Sequence, residues 1–500
     1  MTKKFKNTLS AIFSTTIAVI PIATTLTITS CSTIDSYPKY NANLLFDNLV
    51  EFISANPDRM YNTDGEKQAA DWIANKLLSF GYDKKDDIIT KADPSNEIVA
   101  RDDRAFFKQE GVSIQEFSYQ RVRYNDGIFD GEYADAGTPY GPVWNSQNVL
   151  LSIPTNNATI NTKNIIITSH YDSIDTNTPL IDWSERKSQG VGDSASGVVA
   201  MITLAQFFAE HGNNTKYNIQ LLFCGAEETG ANGSAAFSQQ FLGYYEKYQR
   251  RNWNVWPRAV QLYGTINVNA FEYCLNIDTL LSGDYIYSCS PWKEVKQPWD
   301  GQIIENEITY SDENGNPMED YESVVGNKEI SDAVIKMSKK TKVDNQFKYS
   351  NCESLWDVNL EVLTYSKEQS NGNRFHRQNE RTDASDHYAF YVVGIKTANI
   401  GAANNFIATP GLDGGFDGRT QTSNSLVWDY PLRTITPSES GLKFNIYEST
   451  NPVEETLKGA IWHSWFDRLD SLAEVFGLEV IRQQFFGAFK GVFELLLSFK

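Results

Sequence analysis

The stretch Ile219-Gln-Leu-Leu-Phe-Cys-Gly-Ala-Glu-Glu-Thr-Gly230 decides how this chain is read. Ile219 to Cys224 is an apolar run of strand length, and an unbroken run marks a strand buried on both faces. It is followed at once by a turn carrying two adjacent acids, Glu227 and Glu228. In an open α/β sheet, ligands bind in the crevice at the carboxyl ends of the strands. Two acids at that place point to two tasks, holding a metal and moving a proton. A solvated acidic turn is the purely structural alternative.

Working outward, the pattern recurs. Asn164-Ile-Ile-Ile-Thr-Ser-His-Tyr-Asp172 is a β-branched strand ending in His-x-Asp. Imidazole suits zinc, and a carboxylate near a ligating histidine commonly fixes its tautomer and orientation. Gly190-Val-Gly-Asp-Ser-Ala-Ser-Gly197 leads into a helical stretch, Val198 to Phe208. Asp193 in it reads either as a helix cap or as a metal ligand. Phe271-Glu-Tyr-Cys-Leu-Asn-Ile-Asp278 is one more strand ending in an acid, and Ile461-Trp-His-Ser-Trp-Phe-Asp467 lies ahead of a C-terminal helix. The chain has five histidines, His170, His211, His376, His387 and His463. His211 and His376 sit in polar, loop-like sequence and carry no signal.

The ordered set resembles the two-zinc aminopeptidase family, which also contains carboxypeptidase-type members and the glutaminyl cyclases. The matching pieces are His170-Tyr-Asp172, Asp193-Ser-Ala-Ser-Gly197, Gly225-Ala-Glu-Glu228, Asn276-Ile-Asp278 and His463-Ser-Trp-Phe-Asp467. Arg59-Met-Tyr-Asn-Thr-Asp-Gly65, with Ala69 to Ile73 and Phe80-Gly81, resembles the family's opening helix, and Ser385 to Phe390 its penultimate motif. The resemblance implies an α/β fold: three layers, α/β/α, around a mostly parallel central sheet flanked by helices, with long insertions. It implies two zinc ions per chain. Asp193 would bridge them, His170 and Asp278 would complete one site, and Glu228 and His463 the other. Glu227 would be the general base and Asp172 would orient His170. Paired metals about 3.5–4 Å apart activate a water and polarise the scissile carbonyl, and Glu227 can carry the proton to the leaving amine. Ser194 stands where asparagine is common in the family, which leaves the ligand itself intact. His463 is preferred to His387 as metal ligand because only His463 stands in a His-Ser-x-x-Asp motif.

Residues 1–30 read as a lipoprotein signal peptide, with Lys3, Lys4 and Lys6 ahead of an apolar, Thr-rich stretch. Ile28-Thr-Ser-Cys31 resembles a bacterial lipobox, which makes Cys31 a lipid anchor on the extracellular face of the cell membrane, followed by a tether over 31–44. Residues 45–500 are expected to form a single catalytic domain with insertions near 238–268, 291–380 and 401–455. Residues 45–82 read as helical. Val112 to Gln120 alternates like a strand and is expected to pair with Gln147 to Ile153. Val475 to Phe499 is too charged to span a bilayer and reads as an amphipathic helix packing on the sheet. The Gly/Asp-rich run Gly411 to Gly418 lacks the order of a calcium loop and reads as a turn.

A net charge of -19 argues against nucleic acid or an anionic membrane surface as the main partner. Five cysteines, none in zinc-finger spacing, do not make a disulfide framework. The resulting expectation is a cell-surface zinc exopeptidase, most simply an aminopeptidase acting on peptide substrates. A glutaminyl cyclase on the same fold is the alternative reaction, because Asp193-Ser-Ala195 and Trp462 before His463 resemble that branch. A lipid-anchored binding protein that has lost catalysis is the non-enzymatic alternative, and it would be expected to have lost ligands or the base.

Overall fold

The two strands that end in the candidate site, Asn164–His170 and Asn218–Cys224, are buried at every position. That is why each reads as an apolar run with no polar alternation. Their few polar side chains are satisfied internally: Thr168 Oγ1 donates to Asn276 Oδ1 at 2.7 Å, and Gln220 Nε2 to the Phe107 carbonyl at 3.0 Å. The computed structural model describes residues 42–85, 107–122, 139–159, 161–174, 188–242, 270–283, 385–391, 395–403 and 459–499, with gaps at 86–106 and elsewhere bridged only by short segments. The signal-peptide expectation, Cys31, the tether as far as residue 41, the Gly411–Gly418 run and most of the three expected insertions lie outside the described residues. Ala42–Lys500 forms one compact unit.

The main strands are β1 (Gly111–Val122), β2 (Pro139–Ile153), β3 (Asn164–His170), β4 (Asn218–Cys224), β5 (Phe271–Ile277), β6 (Tyr285–Cys289) and β7 (Lys396–Ala403). Their order across the sheet is β1-β2-β4-β3-β5-β7-β6. The central strands β4, β3, β5 and β7 are mutually parallel. The flanks are antiparallel, β1 with β2, β2 with β4, and β6 with β7. Ile88–Ile89, Trp253–Trp256 and Val362–Leu363 extend this sheet to ten strands among the described residues. The expected β1–β2 pairing is present, with Val112 opposite Leu151 and Glu116 opposite Gln147.

Helices cover both faces. The main ones are α1 (Ala42–Ala55), α2 (Asp64–Ser79), α3 (Ser196–His211), α4 (Asn232–Leu242), α5 (Leu469–Phe476) and α6 (Leu478–Ser498). On one face Phe237 and Phe241 of α4, with Phe107 and Phe390, pack on Leu150, Ile166, Leu222 and Cys274. Alternate residues such as Ile165, Ile167 and Leu221 point the other way and are no more than 1 % exposed. The layer containing α3 covers them. Val191–His211 is apolar and long enough to cross a membrane, but it is 94 % buried within the protein, and here it is a core helix.

Two expectations change in detail. The helical stretch over 45–82 is two helices, α1 and α2. Pro57 lacks the amide hydrogen that a continuing helix needs, and the Thr63 side chain caps α2 by accepting from the Glu66 amide at 3.3 Å. The C-terminal helix is broken at Gly477 (φ 87°) into α5 and α6. It packs on the helical layer as well as the sheet: Phe493 meets Phe207 of α3 edge-on at 4.7 Å, and Phe499 stacks on Tyr273 of β5 at 5.7 Å.

Lys85 is a buried cation at the edge of this core, 5 % exposed. Its Nζ donates to the Gln109 carbonyl at 2.9 Å and to Ser152 Oγ at 3.2 Å. Burial pushes its ammonium down from 10.5 to about 8. The unfolded chain therefore binds this proton more tightly, and the contribution of Lys85 to stability is lowest below about pH 8 and rises until about pH 10.5. Replacing Lys85 with Met should remove that rise. The difference in unfolding free energy between wild type and variant should change by on the order of 1 kcal/mol per pH unit in the window, read from denaturant titrations at several pH values. A pH-independent difference counts against it.

Candidate metal centre

Three parallel strands deliver their last residues to one place. His170 ends β3, Asp278 follows β5, and the Gly225 to Glu228 turn follows β4. The turn is sharp, with Ala226 at φ 54°. Gly225 has no room for a side chain: a Cβ there would overlap Ser146 Oγ and Tyr171 Oη. Asp193 comes from the loop entering α3, where the Asp193–Ser194 peptide is cis. His463 arrives from the other end of the chain, on a segment held by Gln421 Oε1, which accepts from the Ile461 amide at 2.6 Å.

The structure brings all seven candidate residues together. His170 Nε2 lies 3.0 Å from Asp193 Oδ1 and 3.5 Å from Asp278 Oδ1. His463 Nε2 lies 3.1 Å from Asp193 Oδ2 and 3.0 Å from Glu228 Oε2. The two triads, His170-Asp193-Asp278 and Asp193-Glu228-His463, each hold their ligand atoms within 4.8 Å of one another. They share Asp193, one carboxylate oxygen to each. His387 belongs to neither triad. It is 1 % exposed, and burial pushes its imidazole down to about 3, the behaviour of a neutral packed ring.

Two buried carboxylates outside the triads hold the loops that carry them. Asp172, fully buried, accepts from the amides of Glu227 at 3.0 Å and Glu228 at 3.1 Å, and its Oδ1 lies 3.6 Å from His170 Nδ1. It therefore positions the glutamate turn as well as facing the histidine. Asp467 accepts from the amides of Gly192 at 2.6 Å and Asp193 at 3.1 Å. Burial, with the Asp193 charge beside it, pushes the Asp467 carboxyl up to about 7. Ser194 also has work here: its hydroxyl donates to the Asp278 carbonyl and lies 2.9 Å from Ser169 Oγ, tying the Asp193 loop to β5 and β3.

The electrostatics have one origin, acids and imidazoles crowded out of water. Burial raises the Glu227 carboxyl well above the usual range; His170 opposes this, while Asp386, Glu228 and Asp278 reinforce it. Burial likewise lifts Glu228 to about 7, against the pull of His463. For the rings, burial alone would lower the pKa. The Glu227 charge and contacts with Asp172, Asp193 and Asp278 outweigh it at His170, and Glu228 and Asp193 outweigh it at His463, so both are held well above the ordinary value. Asp193 is raised by burial and lowered more strongly by its two imidazole partners, to well below the ordinary carboxylate range. Protons on the rings thus supply positive charge that divalent cations would supply instead, since ligand histidines bind metal only when neutral. The donor set fits zinc: two imidazole nitrogens, carboxylate oxygens, and a Glu228 Oε1 that is buried without a hydrogen-bond partner.

Some residues of the site escaped the sequence reading. Asp386 stands beside His387 in the penultimate motif, and its residue type alone assigns it no role. It is fully buried near Glu227, and burial lifts its carboxyl to about 7. Arg59 and Glu66 lie in the stretch that reads as helical, and nothing in their spacing places them at the site. Glu66 Oε1 accepts from the Ala226 amide at 2.9 Å, and Arg59 bonds to the loop before Asp193.

Residues 148–328 match the model of Peptidase family M28. That stretch holds His170, Asp172, Asp193, Glu227, Glu228 and Asp278. The match takes in six of the seven candidate residues, and His463 lies beyond it. Among curated proteins, the chain is similar to the vacuolar membrane protease of Ajellomyces capsulatus, strains H143 and G186AR, at 32 % identity over 81 residues. The match covers 16 % of this chain and 8 % of the strain H143 protein, so the chain spans less than a tenth of that relative's length. Among solved structures, a leucine aminopeptidase precursor from Bacteroides thetaiotaomicron is similar at 14 % identity and TM-score 0.44, covering 93 % of this chain and 99 % of that one. A zinc aminopeptidase from Bacillus subtilis gives 12 % identity, TM-score 0.42, and 91 % and 95 % coverage. A glutaminyl cyclase from Bacteroides thetaiotaomicron gives 14 %, 0.42, and 93 % and 100 %.

Asp172→Asn and Asp467→Asn each replace one backbone-accepting oxygen with an amide donor, leaving the ligands in place. Each should weaken zinc binding by about 10–100-fold, measured by competition with a chelating dye. Wild-type affinity in both variants would remove their assigned roles.

Proposed function

We propose that this protein is a two-zinc aminopeptidase that hydrolyses the N-terminal peptide bond of peptides at the outer face of a cell membrane. The observation that carries the reading is Asp193, whose two oxygens face two different imidazoles, each backed by a further carboxylate. His170, Asp193 and Asp278 would hold one ion, and Asp193, Glu228 and His463 the other. When bound, the zinc pair supplies Lewis acidity toward the scissile carbonyl and the attacking water.

The chain's own groups do the rest. Glu227 belongs to neither triad, which leaves its carboxylate to take a proton from water and return it to the leaving amine. Asp172 holds the Glu227 and Glu228 amides together, so base and ligand keep a fixed relation. Trp462 and Trp465, both half-buried, lie close to His463 in the chain. The basic start of the chain and Ile28-Thr-Ser-Cys31 support a lipid anchor at Cys31.

Glutaminyl-peptide cyclisation is the second reading, favoured by Ser194 after Asp193 and Trp462 before His463. It uses one zinc ion, whereas both triads are complete here.

Purified protein loaded with zinc should hydrolyse aminoacyl anilides and hold two ions per chain. Glu227→Gln should keep both ions and lose about 10²–10⁴-fold in kcat; Glu228→Gln should lose one ion. One ion per chain with cyclisation of glutaminyl peptides would replace this reading by the second.

A further inference from the structure

Arg59 has no solvent exposure and lies on no strand or helix, in the loop between α1 and α2. Its guanidinium makes four hydrogen bonds, all to backbone carbonyls. Nε donates to Tyr171 at 2.7 Å, Nη1 to Asn56 at 3.1 Å and Gln189 at 2.9 Å, and Nη2 to Gly190 at 2.9 Å. Tyr171 is the residue after His170, and Gln189 and Gly190 lie four and three residues before Asp193. One rigid, planar cation therefore spans the end of β3 and the start of the bridging-aspartate loop. The Phe52 ring lies under the guanidinium, 5.1 Å from its centroid, and limits where it can swing.

The surroundings are shaped to this contact. Gly190 has φ 54°, and a Cβ there would come within 2.7 Å of Arg59 Nη2 and 2.8 Å of Ser173 Cβ. The Arg59 carbonyl in turn accepts from the Ser173 amide at 3.1 Å, so the strap is stitched to the chain just past Asp172. Asp467, Asp172 and Asp193 all act to keep the guanidinium charged against the cost of burial, which brings it down only to about 10. At the other end of the same short segment, Glu66 holds the Ala226 amide.

We propose that Arg59 is a positioning residue of the metal centre: by bridging the Tyr171, Gln189 and Gly190 carbonyls it sets the separation of His170 from Asp193 and so the affinity and geometry of the ion they share. This rests on the two-zinc reading above. Arginine suits the task and lysine does not. Lysine offers a single ammonium and no planar fork, and it cannot reach both loops in the same fixed geometry.

The test is zinc affinity by dye competition in Arg59→Lys, with the visible absorption of the cobalt-substituted protein as a second readout. Val492→Ala, a destabilising change at a buried position of α6, serves as the comparison because it lies outside both loops. Arg59→Lys should bind zinc about 10–100-fold more weakly and show a shifted cobalt band, while Val492→Ala keeps both properties of the wild type. Wild-type affinity and spectrum in a folded Arg59→Lys overturn the proposal. Equal loss in Val492→Ala and Arg59→Lys also overturns it, because the effect would then follow stability alone. Should Arg59→Lys show no cooperative unfolding, the same measurement on Phe52→Leu decides: weaker zinc binding supports the proposal and unchanged binding overturns it. A wild type that binds no zinc would instead refute the two-zinc reading, a separate outcome.

Discussion

Everything at this site depends on one carboxylate. Asp193 sits between His170 and His463, offering one oxygen to each, with Glu228, Asp278 and Glu227 beside them. Charge concentrated in this way and withdrawn from water is costly unless it is paired. Nearby rings and acids shift one another's proton affinities strongly for that reason, and the same crowding makes the place suited to dications.

Holding such a cluster requires rigid backbone, and the fold supplies it from several directions. The parallel strands β4, β3 and β5 bring their carboxyl ends side by side, which sets the spacing of His170, Asp278 and the glutamate turn. Two further carboxylates then act on amides. Asp172 holds Glu227 and Glu228, and Asp467 holds Gly192 and Asp193. Each carboxylate accepts two amide hydrogens, so each fixes the direction of a ligand-bearing loop. The final motif, His463 to Asp467, thereby contributes twice, a ligand at its start and a loop anchor at its end.

Most of the first layer of the site was legible in the chain. Ligands at the ends of buried strands leave a mark in sequence: an apolar run stops and a metal-competent residue follows, as at His170, Glu228 and Asp278. The parallel middle of the sheet was legible for the same reason. The antiparallel joins of β2 to β4 and of β6 to β7, the division of the first helical stretch at Pro57 and Thr63, and the contact of α6 with α3 were not. Those depend on which surface an apolar face meets, and its own periodicity does not say. Arg59 and Glu66 stayed hidden because the contacts that tie them to the site are with backbone atoms of residues more than a hundred positions away. A backbone carbonyl has no side-chain identity, so no pattern of residue types records the contact.

The sequence by itself determined the kinds of ligand, their order, and the strands that carry them, because hydrophobic burial and metal chemistry both act through residue type. Only the tertiary structure decided how closely the two imidazoles approach Asp193, that Asp172 holds a turn as well as facing a histidine, and that Arg59 and Glu66 reach the site. Those are questions of distance between segments far apart in the chain, and distance is settled by how the strands register and the loops are tied, after the residue types have been chosen.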